Sequence, residues 1–374
     1  MEKDLGYRKI QCTGRGSYII CLPKEWVESI ELEKGSEIAF KLQDNSLLTL
    51  VPRKILEKSE GVKKPKLKEY WVNIKPKEDT QSVCRKIKAL YLIGADIIKV
   101  RIKNEEEFSK HAPAITELVK NVLLGAEIID ATSNEITIQI LVNHPSFPIE
   151  SAIKRMATMV LLASKSIISS LENMSDEMFK NIRDMCLDAN RLNLYVIRQL
   201  KYGIQRNLYK EMGFKSPKEF LLYRMIAQNI KDIAENIIKV VDNLEAFEKL
   251  IHEHVIFLKE KFDEEAYSQI SKFTSSAHQV FEESIKTLFK QDYIQADKII
   301  TEAESLIKLE NELLIMLMSK KMDPNLSSIL RLISDNARRI IDCSKDIAEL
   351  TLNLTVEETV DMLFNNSIQP VKTS

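Results

Sequence analysis

The stretch RKIQCTGRGSYIICLPKEWVESIELEKGSEIAFKLQDNSLLTLVPRK, residues 8–54, sets short apolar runs between turn residues at a spacing suited to strands. RKIQC and SYIIC flank the turn TGRG, a short helix opens at LPKEW, and EIAFKL and SLLTLV surround the turn QDN. That is the pattern of two hairpins with a helix between them. Pro23 suits a first helical position, where its missing N–H costs nothing. A β-rich module of about fifty residues buries too little apolar area to be secure alone. Dimerisation through this module is the simplest way to complete its core, so a homodimer is expected.

Outward from this module the rhythm changes twice. ILEKSEGVKKPKL (55–67) carries Gly61, Pro65 and mixed charge without periodicity, and reads as a linker. Residues 68–146 then alternate strands and helices: EYWVNI, the helix TQSVCRKIKALYLI ending at Gly94, DIIKVRI, the helix FSKHAPAITELVKNVLL ending at Gly125, then AEIIDA and EITIQIL. The two glycines stand where a helix end favours a left-handed residue, and Pro113 is placed in an early turn of its helix. This is a small α/β sandwich. From about residue 150 the chain is helical. Ile153, Met156, Val160, Ala163, Ile167 and Leu171 step by three and four along one face, as do Ile226, Ile230, Ile233, Ile237 and Val240, and Ile329, Ile333, Ile340 and Ile347. Further helices are expected at 177–205, 246–262, 265–290 and 293–321. They fall into two sets of three, 150–262 and 263–374. IAQNIKDIAENI (226–237) is similar to ISDNARRIIDCS (333–344), with Asn229 and Asn336 in register, which suggests an internal duplication. The expected fold is multidomain and mainly α: a β module at 1–54, a linker at 55–67, a small α/β sandwich at 68–146, and a C-terminal pair of three-helix bundles.

Composition agrees with this layout and excludes several classes. Of 374 residues 44% are apolar and 29% charged, with 54 Lys+Arg against 55 Asp+Glu, which rules out a disordered, collagenous or disulfide-framed chain. Seven of the nine glycines and seven of the ten prolines precede residue 151, so the remainder is almost free of helix breakers. Residues 1–66 hold 13 Lys+Arg and 10 Asp+Glu, so the positive excess lies at the N-terminus, where a nucleic-acid surface is to be sought. The scattered Cys12, Cys21, Cys84, Cys186 and Cys343 form no CxxC pair and suit a reducing compartment. No apolar run approaches the ~20 residues of a membrane span, and MEKDLGYRK lacks the apolar stretch of a signal peptide. A cytoplasmic protein without membrane insertion is expected.

Three segments resemble known families. Residues 8–54, in the order strand–turn–strand–LPK–helix–KGS–strand, resemble the SpoVT/AbrB-type swapped-hairpin domain, whose dimers bind DNA through a β-rich surface. RKIKALYLIGADIIKV, LLGAEIIDATSNEITIQIL and AIKRMATMVLLAS are similar to the middle region of archaeal PhoU-related phosphate-uptake regulators, and the paired three-helix bundles resemble the PhoU architecture. Together they cover nearly all of the chain in the order seen in that archaeal family.

The candidate site residues follow. Arg8, Lys9 and Arg15 lie on the first strand and its Gly-flanked turn, with Lys24 at the helix start, so a dimer would present them twice on one surface suited to phosphate contact. The resemblance implies that Arg8 and Arg15 are the principal DNA contacts. Solvated charge on a small domain accounts for the same residues without it, and Glu25 and Glu28 sit close to Lys24. The PhoU resemblance also implies a metal motif with two carboxylates one helical turn apart, and Asp184 and Asp188 have that spacing. The partner positions read Arg224 and Gln228, then Arg331 and Asp335, and the counterpart of DMCLD is ESLIK, so a multinuclear cluster is not expected. A single divalent cation on Asp184 and Asp188, or a solvated acidic face, remains, and no other cofactor is expected. The histidines show no HExxH spacing, TGRGS lacks the geometry of a phosphate loop, and no nucleophile–base–acid set emerges, so no catalysis is expected. The reading is a DNA-binding regulator of phosphate uptake with a sensory or partner-binding bundle. The alternative is an adaptor that docks on phosphate-transporter components or a signalling kinase without binding DNA.

Overall fold

The computed structural model describes residues 6–12, 14, 16–42, 48–54, 67–75, 77–102, 105–142, 147–172, 175–253 and 263–367. The chain divides into two compact units, Met1–Leu67 and Lys68–Ser374. The expected linker, apart from Leu67, lies outside the described residues.

The first unit contains β1 (Gln11–Cys12), β2 (Tyr18–Ile19), α1 (Lys24–Ser29), β3 (Ile38–Leu42) and β4 (Leu48–Pro52). β1 pairs with β2 and β3 with β4, both antiparallel, giving two separate two-stranded sheets. In the second hairpin Ile38 faces Pro52, Phe40 faces Leu50 and Leu42 faces Leu48, so one side of the ribbon is wholly apolar. Among the described residues that side is best covered at one end, where Pro52 is buried and Ile38 half-buried. Phe40 is 65% exposed and Leu42 76% exposed, and among the described residues of the unit only Pro52 is buried. Isolated two-stranded ribbons are marginal in water, and this one meets solvent with the side that sheets normally bury.

The second unit opens with a mixed four-stranded sheet of β5 (Glu69–Asn73), β6 (Ile97–Arg101), β7 (Ala126–Ala131) and β8 (Glu135–Ile140), in the order β5-β6-β8-β7. β5 and β6 are parallel, as the helical crossover between them requires, and the other pairs are antiparallel. That crossover is α2 (Thr80–Leu92), and α3 (Glu105–Asn121) links β6 to β7. Alternation along the strands aims Val72, Ile98, Val100, Ile136, Ile138 and Ile140 at Val83 and Ile87 of α2 and Ile115 and Val119 of α3. Asp79 caps α2 by accepting from the Ser82 amide at 2.9 Å. Gly94 and Gly125 adopt φ of 90° and 72°, as their helix-end positions demand. Pro113 sits mid-helix, not in an early turn: Glu105, Glu106 and Glu107 supply the first turn, where negative charge meets the positive end of the helix dipole.

Helices α4 (Ile149–Glu172), α5 (Asp176–Arg206), α6 (Glu219–Glu253), α7 (Glu264–Lys290), α8 (Tyr293–Ser319) and α9 (Pro324–Ser367) follow. Each of the three periodic faces read from the sequence is buried along its whole length. α6 runs unbroken through residue 246, where a separate helix was expected; no Gly or Pro interrupts residues 219–253, so nothing breaks its backbone ladder. Asp263, Asp292 and Ser175 cap α7, α8 and α5, and Pro324 opens α9. One apolar core runs through all six helices. α4 packs on α7 and α6 on α9.

Candidate nucleic-acid interface

The sequence-predicted DNA contacts fall around the first hairpin. Arg8 and Lys9 lie immediately before β1, both exposed, and the Arg8 Nη1 donates to the Tyr7 carbonyl at 2.9 Å. Lys24 is the first residue of α1; Pro23 is the cap, and its carbonyl accepts from the Val27 amide at 3.1 Å. Lys24 also pairs with Glu28 one turn on, at 3.6 Å, with the Lys24 side chain 87% exposed, so water screens the pair. Arg15 falls between the paired Cys12 and Tyr18 and lies outside the described residues. Arg8 and Lys9 thus precede the first strand and Lys24 opens the next element, while Tyr7, Ile10, Tyr18 and Ile19 are exposed on or beside the same hairpin. Cationic groups interleaved with aromatic and aliphatic side chains on a ribbon can contact phosphates through charge and sugars or bases through apolar surface.

Asp184 and Asp188 stand exposed one turn apart on α5, and Asp188 accepts from Arg191 Nη1 at 3.4 Å. Among the described residues no group of three His, Cys, Asp or Glu side chains gathers in a way that could hold a metal ion. Arg224 donates to Gln228 at 3.1 Å and Gln228 in turn to Asp232 at 2.7 Å, a ladder along α6. His111 is fully buried between Thr80, at 3.0 Å, and Glu107, at 3.1 Å, tying α2 to α3. Burial pushes the Cys186 thiol up to about 12, which leaves it inert as a nucleophile.

Sequence reasoning missed two arginines on α5. Arg198 is 3% exposed and donates to the Tyr91 carbonyl at 2.8 Å, at the C-terminal end of α2, while pairing with Asp96 at 3.6 Å. Arg191 donates through Nη2 to the Lys120 carbonyl at 3.0 Å, at the C-terminal end of α3. Arg191 thus donates to a carbonyl of the last turn of α3, and Arg198 adds a second donor to the Tyr91 carbonyl, which already accepts from the Gly94 amide at 3.1 Å; both guanidinium groups lie at the negative end of a helix dipole. Between them Leu194 enters the core of the sheet. The signal was present as arginine at 191 and 198 flanking Leu194 with helical spacing, but without a motif to set it apart from solvated charge.

Residues 11–57 match the family model described as antidote-toxin recognition MazE, bacterial antitoxin, so the N-terminal module is similar to that family over almost its whole length. No curated protein and no solved structure matches the chain. No helix among the described residues is long and apolar enough to cross a membrane.

Proposed function

We propose that this chain is a DNA-binding regulator that dimerises through its first unit. The paired module grips duplex DNA with Arg8, Lys9, Arg15 and Lys24, and the helical region reads a signal or a partner. One observation carries the reading: the β3–β4 ribbon leaves its apolar side exposed while Arg8 and Lys9 flank the neighbouring ribbon, so the unit is incomplete alone and cationic once doubled. Similarity to the MazE antitoxin family over residues 11–57 supports a regulator or antitoxin-like role for the module. The resemblance of the middle and helical regions to archaeal PhoU-related regulators makes phosphate uptake the process controlled. The mechanism is linkage: an arrangement of the helices favoured by the signal changes the spacing of the paired DNA-binding heads, and with it the affinity for the operator. The protein acts in the cytoplasm and catalyses no reaction.

The test is a titration of the full chain with fragments of the native genome at several salt concentrations. Affinity should fall log-linearly with salt, and Arg8→Ala, which removes one phosphate contact from each protomer, should lower that slope by about two while leaving the dimer intact. Absence of DNA affinity even at low salt, together with capture of phosphate-transporter subunits, would replace this reading by the adaptor that binds no DNA.

A further inference from the structure

We infer that a cleft between the sheet and the first helices of the bundle is a binding site for a small organic monoanion with an apolar body. The cleft has a volume of about 420 Å³, within the range of ligand pockets. At about 30 Å³ of liquid volume per water-sized group it holds roughly fourteen non-hydrogen atoms. Its walls are Leu124, Val142, Phe147, Met159 and Leu192, and its charged lining is Arg155, Arg191 and Asp188. Several apolar walls with a few convergent polar groups are the composition of a small-molecule site.

The charges select the ligand. Asp188 is already engaged by Arg191 at 3.4 Å, which leaves the Arg155 guanidinium, exposed at the surface of α4, as the unmatched charge of the lining. Arg191 spends its two terminal nitrogens on Asp188 and the Lys120 carbonyl, and its Nε is buried with no hydrogen-bond partner. A carboxylate in the cleft pairs with the Arg155 guanidinium and neutralises it. One surplus positive charge calls for one negative charge. Inorganic phosphate is a poor fit, because it would leave five apolar walls facing water and would place a second charge beside Asp188. The occupant is therefore a monocarboxylate carrying an aromatic or aliphatic body. It would touch both Leu124 and Val142, beside the sheet, and Met159 and Leu192 of the bundle helices.

The inference does not rest on the DNA-binding reading, because it is tested without DNA. The full chain is titrated by calorimetry and by saturation-transfer NMR with 4-phenylbutanoate, with its neutral amide, and with inorganic phosphate. The acid should bind and the amide should bind about tenfold or more weakly, the loss expected for one charge-assisted hydrogen bond. Arg155→Gln, a surface change that leaves the core untouched, should weaken the acid by a similar factor, and Arg155→Lys should restore part of it. Met159→Trp, which fills the cleft, should abolish binding, with the thermal midpoint verifying that the variant is folded. Equal binding of acid and amide, an acid affinity indifferent to Arg155→Gln, tighter binding of phosphate than of the acid, or no binding of the acid at all would each overturn the assignment.

Discussion

Phe40→Ala in the full-length chain tests the foundation of the proposed function. Phe40 lies at the centre of the apolar side of the β3–β4 ribbon, opposite Leu50, and is 65% exposed in the single chain. An aromatic side chain presents about 150–250 Å² of surface, so roughly 100 Å² of ring beyond what alanine retains is left for a partner to cover. At about 25 cal/mol per Å² that burial is worth about 2.5 kcal/mol in each protomer and about 5 kcal/mol in a symmetric dimer. The dimer dissociation constant should therefore rise by about three to four orders of magnitude. Stability of the second unit should not change, because Phe40 belongs to neither of its cores. Sedimentation equilibrium over a concentration series measures the first quantity and urea unfolding the second. DNA affinity should fall with the dimer, since a monomer presents each cation once. A wild-type chain that stays monomeric at the highest concentration reached, or a Phe40→Ala dimer as tight as the wild type, would refute the reasoning, and with it the claim that the ribbon is completed by a second copy.

Two further outcomes concern the second unit. Arg198→Ala removes the guanidinium at the C-terminal end of α2 and leaves Asp96 with only the Lys68 amide, at 2.9 Å, to offset its charge; since Arg198 is 3% exposed, a loss of about 2–4 kcal/mol is expected in urea unfolding, and a change within experimental error would show that α5 and the sheet dock independently of it. His278 joins α7 to α4 through Ser164 at 3.1 Å, and burial lowers its pKa from 6.5, with Glu282 opposing that shift and Lys165 and Lys286 reinforcing it. A base with a depressed folded-state pKa gives stability that is fully present above 6.5 and lost as pH falls through the folded value. Unfolding free energies should therefore decline between about pH 7.5 and about pH 5.5, more steeply for the wild type than for His278→Gln, and equal slopes would remove His278 as the cause.

The helical region was legible because its information is periodic. Every residue of the stripe from Ile153 to Leu171 is buried, as are Ile226 to Val240 and Ile329 to Ile347 at their helical steps, since burial on one side is what a spacing of three and four encodes. Gly94 and Gly125 were legible for a different reason, a positive φ that glycine meets without strain. Helix ends were harder. Nothing in the apolar pattern distinguishes the end of one helix from a continuation, so the unbroken course of α6 past residue 246 and the early start of α3 depended on the absence of breakers and on three glutamates. The cleft was not legible at all. Arg155 and Arg191 lie far apart in sequence on two helices, and each reads alone as surface charge. The N-terminal cations were legible as residues but not as an interface, because the surface proposed for them depends on a second copy of the chain.

α5 also makes a claim about motion that its burial alone can carry. From Leu192 to Leu200 every residue is buried, so this stretch has no solvent side. Leu192, Tyr195, Val196 and Leu200 belong to the core of the bundle, whereas Leu194 belongs to the core of the sheet and Arg198 holds the end of α2. A helix gripped by two cores cannot roll or slide without opening one of them, because packed interiors are close to crystalline density and yield in discrete steps. A signal sensed by the helices would then reach the rest of the molecule by moving the sheet and α5 together, with no hinge between them. The amides of residues 192–200 should accordingly exchange with deuterium only through the largest opening of the second unit, at the same free energy as the buried amides of β6 and β8. Should that stretch exchange through a smaller opening while the sheet stays protected, the sheet and the bundle would be separate cooperative bodies, and α5 would be the hinge instead of the strut.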